Sequence, residues 1–285
     1  MELKHISEID TKKWDLAFAK SLGNPLYSNL IWLQFVCPDF YFLIDKNYQN
    51  VLPVPLKSKM GFKYVVQPLL TQYLIPKFET ESIEIETIEL VKSKFKFIRF
   101  NLLSKMKADK FKIDENQNFI LPLNDDFNTI SLGFSNQLKR NLKKANPELQ
   151  FSKSENLVEI IDLFKNNAGK KFGIKRNFFE KLYALKSLQN IDLECYSAKI
   201  ENDLQAGLLL IKCGNHLTSI LTAQSEIGKT NFALTALFRH IIKIYSNSQF
   251  VLDFEGSNNP GIARFYASFG SKPENYYSYQ YRFGF

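Results

Sequence analysis

The chain has 285 residues, 45% hydrophobic and 23% charged, with a net charge of +8 at pH 7, a composition that excludes disordered and fibrous classes and fits a soluble globular protein. No run approaches the roughly 18 apolar residues of a membrane span, and the opening MELKHISEID lacks the apolar centre of a secretory leader, so a cytoplasmic location without stable membrane insertion is expected. Cys37, Cys195 and Cys213, like His5, His216 and His240, show no paired or ligand spacing, so neither a disulfide framework nor a metal is expected.

Thr11 to Leu22 has the spacing of an amphipathic helix, stopped by Gly23 with Pro25 beyond it. The next segment is so dense in Tyr27, Leu30, Ile31, Leu33, Phe35 and Val36 that it belongs in a core. Strands are predicted over Phe40 to Asp45 and Val51 to Leu56, and Pro53 and Pro55 demote the second to a bulged or edge strand. A turn over Lys57 to Gly61 leads to a short strand, Lys63 to Gln67. The pattern is helical from Ser82 to Lys94 and alternates from Phe95 to Leu102, with Phe95, Phe97 and Phe100 inward and Lys96 outward. After a strand over Gln117 to Leu123, Asp125 or Asp126 can cap a helix on which Lys139 and Lys143, and Arg140 and Lys144, stack at i, i+4. Such a basic face is either a solvated surface or a meeting place for phosphates. Pro147 ends it, and helices over Ser154 to Lys165 and Asn177 to Ser187 follow, joined by the basic loop Gly169 to Gly173.

A second set of elements comes next: strands over Leu193 to Ile200, Gln205 to Lys212 and Leu217 to Ala223, then one long helix from about Lys229 to Ser246. A strand over Gln249 to Glu255, a short helix and a last strand over Tyr276 to Phe283 complete it. Hairpin, crossover helix and strand follow in the same order in both halves. The turn at Gly61 precedes Ile98 by the same number of residues as the turn at Gly214 precedes Val251. Together these indicate an internal duplication of α/β (α+β) class, divided into 1–125 and 126–285.

The halves differ at Gln249 to Gly270. A strand-like run carries Asp253 and Glu255 and breaks at Gly256-Ser257; Asn258, Asn259 and Pro260 then start a helix with Ile262, Phe265, Tyr266 and Phe269 on one face, stopped by Gly270. The first half has Arg99-Phe100-Asn101-Leu102 at the corresponding place, so the second half is expected to be active and the first degenerate. The hairpin, the long helix, the strand ending in polar residues and the series Asn259, Tyr266, Gly270 resemble the closing motifs of the GNAT family of N-acetyltransferases. The two-half layout resembles the FemAB-like branch, in which two such domains are fused. So do Asn118 to Leu123 followed by the basic helix Leu138 to Ala145, Gln67 to Gln72, and Asp253 to Ser257. The resemblance implies two tandem GNAT-like domains, each a mixed, largely antiparallel sheet flanked by helices. It also implies transfer of an acyl or aminoacyl group from acyl-CoA or aminoacyl-tRNA to an amine-bearing acceptor, a small molecule or a peptide.

An amine with a pKa of about 10.4 gives up its proton at pH 7 at a cost of about 4.6 kcal/mol. Asp253 and Glu255, two apart on a strand and so on one side of it, are candidate bases, Glu255 first because it is nearer the strand's end. Tyr266 is a candidate donor of a proton or hydrogen bond to a departing thiolate or ribose oxygen. The phosphates of either donor are expected at the start of the long helix, with Gly228, Lys229, Thr230, Asn231 and, from the next helix, Asn259 as candidate contacts. The entry Gln224 to Asn231 reads equally as an ordinary capped turn. The alternative function is a catalytically inactive module that binds a nucleic acid or a phosphorylated ligand.

Overall fold

Asp10, Asn29, Thr80, Asp126, Ser135 and Asn156 each offer a side-chain oxygen to backbone N–H groups two or three residues on, and a helix starts after each. The structure, a computed structural model, describes every residue except Glu155, Ser257 and Phe285. Its first elements are β1 (Glu2–His5), α1 (Thr11–Phe18), α2 (Leu30–Val36), β2 (Phe40–Ile44), β3 (Val51–Lys59), β4 (Phe62–Val66), α3 (Glu81–Lys94) and β5 (Phe97–Leu102). There follow β6 (Lys112–Pro122), α4 (Phe127–Leu132), α5 (Asn136–Lys144), β7 (Gln150–Ser154), α6 (Leu157–Phe164) and α7 (Arg176–Ala184). The last are β8 (Asp192–Ile200), β9 (Asp203–Cys213), β10 (His216–Gln224), α8 (Glu226–Thr230), α9 (Ala233–Tyr245), β11 (Val251–Gly256), α10 (Pro260–Ala267) and β12 (Lys272–Arg282). A π-helical turn, Lys165–Gly169, extends α6.

The chain forms two compact units, 1–117 with 275–285, and 118–274. The boundary drawn from sequence at 125/126 therefore moves into β6, and most of β12 belongs to the first unit.

In the first unit the strands are ordered β1-β2-β3-β4-β5-β12. All neighbours run antiparallel except β4 and β5. Phe40, Phe42, Ile88, Val91, Ile98, Phe100 and Tyr279 are among its core. Contrary to the edge-strand expectation, β3 lies between β2 and β4. Val51 exchanges backbone hydrogen bonds with Lys77 on the side away from β2. By the two-residue period, the nitrogens of Pro53 and Pro55 point the same way, where β4 joins only from Leu56 onward. The inward residues of β5 are Ile98, Phe100 and Leu102, while Phe97 is 41% exposed. Phe95 and Phe100 are buried as expected and only Phe97 departs, because Phe95 is the C-cap of α3 and the strand's own alternation starts after it.

Parallel pairing of β4 with β5 ends after Val65↔Ile98 and Val66↔Arg99. The chain itself then fills the space beside β5. Gln67 N–H donates to the Arg99 carbonyl at 2.7 Å, and its side chain accepts from Asn101 N–H and donates to the Thr71 carbonyl, both at 2.8 Å. Asn101 Nδ2 donates to the Gln72 carbonyl at 2.9 Å, and Leu74 bridges to Leu102 as a short parallel partner.

In the second unit the order is β6-β11-β10-β9-β8-β7, with only β10 and β11 parallel. Ala206, Leu208, Leu210, Leu217, Leu252 and Phe254 form one face with Leu237, Phe238 and Ile241 of α9, Tyr266 of α10 and Leu138 of α5. The alternate residues face α6: a Cβ on Gly207 would lie 2.7 Å from Ile160 Cγ1. The single long helix expected from Lys229 is two helices, broken at Phe232, whose φ of +53° is left-handed. Asp126 caps α4, while the basic helix α5 has its own cap, Ser135. Burial of Leu138 leaves Arg140, Lys143 and Lys144 exposed.

Replacing Gln67→Ala removes the partners of the Asn101 N–H and the Thr71 carbonyl. It is expected to lower unfolding stability by about 1–3 kcal/mol, measured by urea denaturation, and an unchanged midpoint would mean that Gln67 does not hold this segment.

Candidate functional site

β10 and β11 pair only over His216↔Val251, Leu217↔Leu252 and Thr218↔Asp253. Beyond that point β10 continues to Gln224 and β11 to Gly256 with no pairing to each other. Both strands are irregular where they part, β10 between Ser219 and Leu221 and β11 between Asp253 and Gly256. Such bulges bend a strand and re-aim its side chains.

Within the β11 bulge Glu255 adopts a φ of +56°, and its N–H donates to Asp253 Oδ1 at 2.8 Å. The expectation that both acids stand on one side of a regular strand fails here, because the left-handed residue takes Glu255 out of the alternation. Asp253 is fully buried and Glu255 half-buried. The neighbouring Ser257 lies outside the described residues.

Tyr266 is buried on α10 and stacks on Phe254 with ring centroids 5.1 Å apart. Its pKa is pushed well above the ordinary tyrosine value, first by burial and then by the negative charge of Glu255, with Asp253 adding a smaller contribution. A hydrogen bond with Thr222 opposes the rise. Tyr266, Thr222, Glu255 and Asp253 therefore share one neighbourhood, and the phenol keeps its proton at neutral pH.

A cleft of about 890 Å³ lies at the parted end of β10, bordered by Thr222 and Gln224, by Phe232, Leu234 and Thr235 at the start of α9, and by Asn259, Ile262 and Tyr266. Its remaining wall is the π turn and the residues after it, including Asn166, Asn167, Lys170, Lys171 and Phe172. Helix α9 begins without a side-chain cap. The N–H groups of a helix's first turn lack intrahelical acceptors and carry the positive end of its dipole.

The candidate phosphate contacts are dispersed. Gly228 N–H donates to Ser225 Oγ at 2.8 Å, and a Cβ there would lie 2.1 Å from the Gln205 carbonyl oxygen, so this glycine lets α8 lie against β9. Lys229 borders the cleft and is ion-paired with Glu226. Thr230 Oγ1 donates to the Ile227 carbonyl, and Asn231 N–H donates to the same carbonyl. The Asn231 carbonyl accepts from Asn146 N–H at 3.3 Å, which sets the end of α5 beside the α8–α9 junction. Asn259 borders the cleft and caps α10, accepting from Gly261 N–H at 2.8 Å. Both helices of the junction thus meet the cleft, α8 through Glu226 and Lys229 and the start of α9 through Phe232, Leu234 and Thr235. Thr222 and the π turn were not singled out from sequence, whereas Gln224 opened the entry Gln224 to Asn231. Strand alternation marks Thr222 and Gln224 as facing one way, but only the parting of β10 from β11 makes that side a cleft.

Among the described residues no group of three or more His, Cys, Asp or Glu side chains is placed to hold a metal ion, and no helix is long and apolar enough to cross a membrane. No family model matches the sequence, and no curated protein matches it. Solved structures match along its whole length. The structure of FemX is similar over 97% of this chain and 97% of its own, with a TM-score of 0.66 and 14% identity. The fold is that of the tandem GNAT, FemAB-like proteins. A tandem GNAT protein from the clavulanic acid biosynthesis pathway covers 98% of each chain, with a TM-score of 0.55 and 11% identity. A GNAT-family acetyltransferase from Colwellia psychrerythraea covers 99% of this chain and 100% of its own, with a TM-score of 0.54 and 12% identity.

In GNAT terms the cleft belongs to the second unit. Two outcomes follow from its geometry. Gly228→Ala drives a Cβ into a backbone carbonyl and is expected to cost about 1–3 kcal/mol, read as a lowered urea midpoint; wild-type stability would mean that α8 does not sit on β9. Tyr266 binds its proton more tightly folded than unfolded, so its contribution to stability is complete below about pH 10 and is lost as pH rises further. Tyr266→Phe is expected to flatten the alkaline fall in thermal midpoint, and an equally steep fall in the variant would contradict the raised pKa.

Proposed function

We propose that this protein is an N-acyltransferase that moves an acyl or aminoacyl group from an activated ester or thioester to an amine. The observation that carries the proposal is the parting of β10 from β11, with Tyr266 and Thr222 bordering the opening and Glu255 close enough to act on Tyr266. The acyl end of the donor enters between the strands, and its anionic portion meets the first turn of α9. Glu255 takes a proton from the incoming ammonium, directly or through water. The freed amine attacks the carbonyl carbon, a C–N bond forms, the C–O or C–S bond breaks, and the nitrogen's second proton passes to water or, where an alkoxide leaves, restores the Tyr266 phenol. Tyr266, oriented by Thr222, hydrogen-bonds the departing atom and gives its proton to an alkoxide; a thiolate, ordinarily more acidic than a phenol, needs only the hydrogen bond. Asp253 acts through Glu255, holding the bulge with the 2.8 Å hydrogen bond to its N–H.

Of the two donors, aminoacyl-tRNA is favoured over acyl-CoA. The amides from Gly228 to Phe232 that would cradle a diphosphate are largely bonded within the chain: Gly228 to Ser225 Oγ, Lys229 to the Ser225 carbonyl, Asn231 to the Ile227 carbonyl and Phe232 to the Lys229 carbonyl. What remains suits a smaller anionic contact, and the basic helix α5 adjoins the same junction through Asn146. Its charge suits the further phosphates of an RNA.

The test is to incubate the protein with an amine mixture and either aminoacyl-tRNA or acyl-CoA. Amine-dependent loss of the aminoacyl ester is expected, lowered about 10²–10⁴-fold by Glu255→Gln or Tyr266→Phe with the thermal midpoint at neutral pH near wild type. Undiminished turnover in both variants would remove them from the mechanism, and turnover of acyl-CoA alone would reverse the choice of donor. Salt-sensitive RNA binding without transfer would favour the binding-module reading.

A further inference from the structure

The wall formed by the π turn bears on the acceptor. Gly207 points toward α6, whereas Ala206 and Leu208 point toward the face carrying α9 and α10. The π turn continues α6, so it borders the cleft from the sheet face opposite α9 and α10. A donor anchored at the start of α9 approaches from the α9 side, and an amine that attacks its carbonyl must come from elsewhere. The π-turn wall is the available approach.

This wall is unusually cationic. Lys170 and Lys171 border the cleft, and Lys165, Lys170 and Arg176 border an adjoining groove of about 690 Å³ that shares Asn166 with it. Glu226, which also borders the cleft and feels the charge of Lys171, is ion-paired with Lys229; Glu180 is engaged with Arg176 at 2.8 Å, and Asp162 with the Tyr183 hydroxyl. Among the described residues Lys165, Lys170 and Lys171 form no ion pair. Lys165 lies over the rings of Phe179 and Tyr183, and Lys171 over Phe172. Asn166 and Asn167 add neutral hydrogen-bonding groups.

We propose that Lys170 and Lys171, supported by Lys165, select an acceptor that bears a carboxylate or phosphate besides its reactive amine. A polyamine or a basic peptide would bring only further positive charge to this wall and be repelled. An amine on an anionic carrier brings the complementary charge, and the same lysines favour the neutral, nucleophilic form of its amine. The proposal rests on the acyl-transfer reading for its meaning, but its test is equilibrium binding, which requires neither a donor nor turnover.

Two probes share one skeleton and differ in one group, 6-aminohexanoate with a carboxylate and 6-aminohexanamide with a neutral amide; 1,5-diaminopentane serves as the cationic control. Their binding to the full chain is followed by ligand-observed NMR. The wild type is expected to prefer 6-aminohexanoate over the amide by about tenfold, equivalent to about 1.4 kcal/mol, and to reject the diamine. The double variant Lys170→Met/Lys171→Met is expected to lose that preference, and Lys170→Glu/Lys171→Glu to reverse it in favour of the diamine. Equal binding of acid and amide, binding of none of the three, or a preference that survives the double variant would each overturn the assignment. A charge preference without acyl transfer would leave this inference standing while the catalytic reading failed.

Discussion

Two parallel strands that stop pairing before they end leave backbone donors and acceptors with no ladder partner, and a buried group so stranded costs about 1–3 kcal/mol. Something must occupy such a gap: water, a ligand or the chain itself. In the second unit the ladder between β10 and β11 stops at Thr218↔Asp253 and a cleft follows. The arrangement of the site depends on that stop. The start of α9 meets the cleft because β10 leads toward it, Tyr266 lies beside Thr222 because α10 packs against Phe254, and Glu255 turns out because β11 bulges as it leaves the ladder.

The first unit meets the same constraint and resolves it the other way. Its ladder between β4 and β5 is also short, and the segment from Gln67 to Leu74 takes the place of a ligand, with Gln67 and Asn101 satisfying backbone groups that would otherwise be stranded. A duplicated architecture thus has one open gap and one closed by its own chain. Where the second unit has Asp253 and Glu255 the first has Arg99 to Leu102, and there Asn101 hydrogen-bonds the segment that fills the gap.

Much of this was legible in the residues. Hairpin, helix and strand order came from periodicity, and α10 from Asn259, Pro260 and its aromatic face. The misreadings share a cause: local pattern does not carry pairing. Alternation put Asp253 and Glu255 on one side, and only the register against β6 reveals the bulge. The prolines of β3 marked an edge, but the edge is a stretch of one strand and not the whole of it. The break in the long helix falls at Asn231-Phe232, where no Gly or Pro announces it. The π turn is hidden for the opposite reason: Asn166, Asn167 and Gly169 are poor helix formers, so the sequence reads as a helix ending at Lys165.

Phe232 and Glu255 deserve comparison for what they hold in common. Each takes a left-handed backbone conformation that costs a residue with a Cβ about 1–2 kcal/mol and costs glycine almost nothing. Tyr48, Met60 and Glu201 adopt it too in hairpin turns, where the geometry asks for it, and Leu70, Lys110 and Asn247 adopt it in other connections. Phe232 and Glu255 lie in no hairpin; one opens the helix that borders the cleft, and the other ends the strand that leaves it. At both places a glycine would relieve the strain while removing a side chain that contributes to the site, the ring of Phe232 in the cleft wall and the carboxylate of Glu255 that acts on Tyr266. A residue with a Cβ stays in such a conformation only where the structure around it over-determines it.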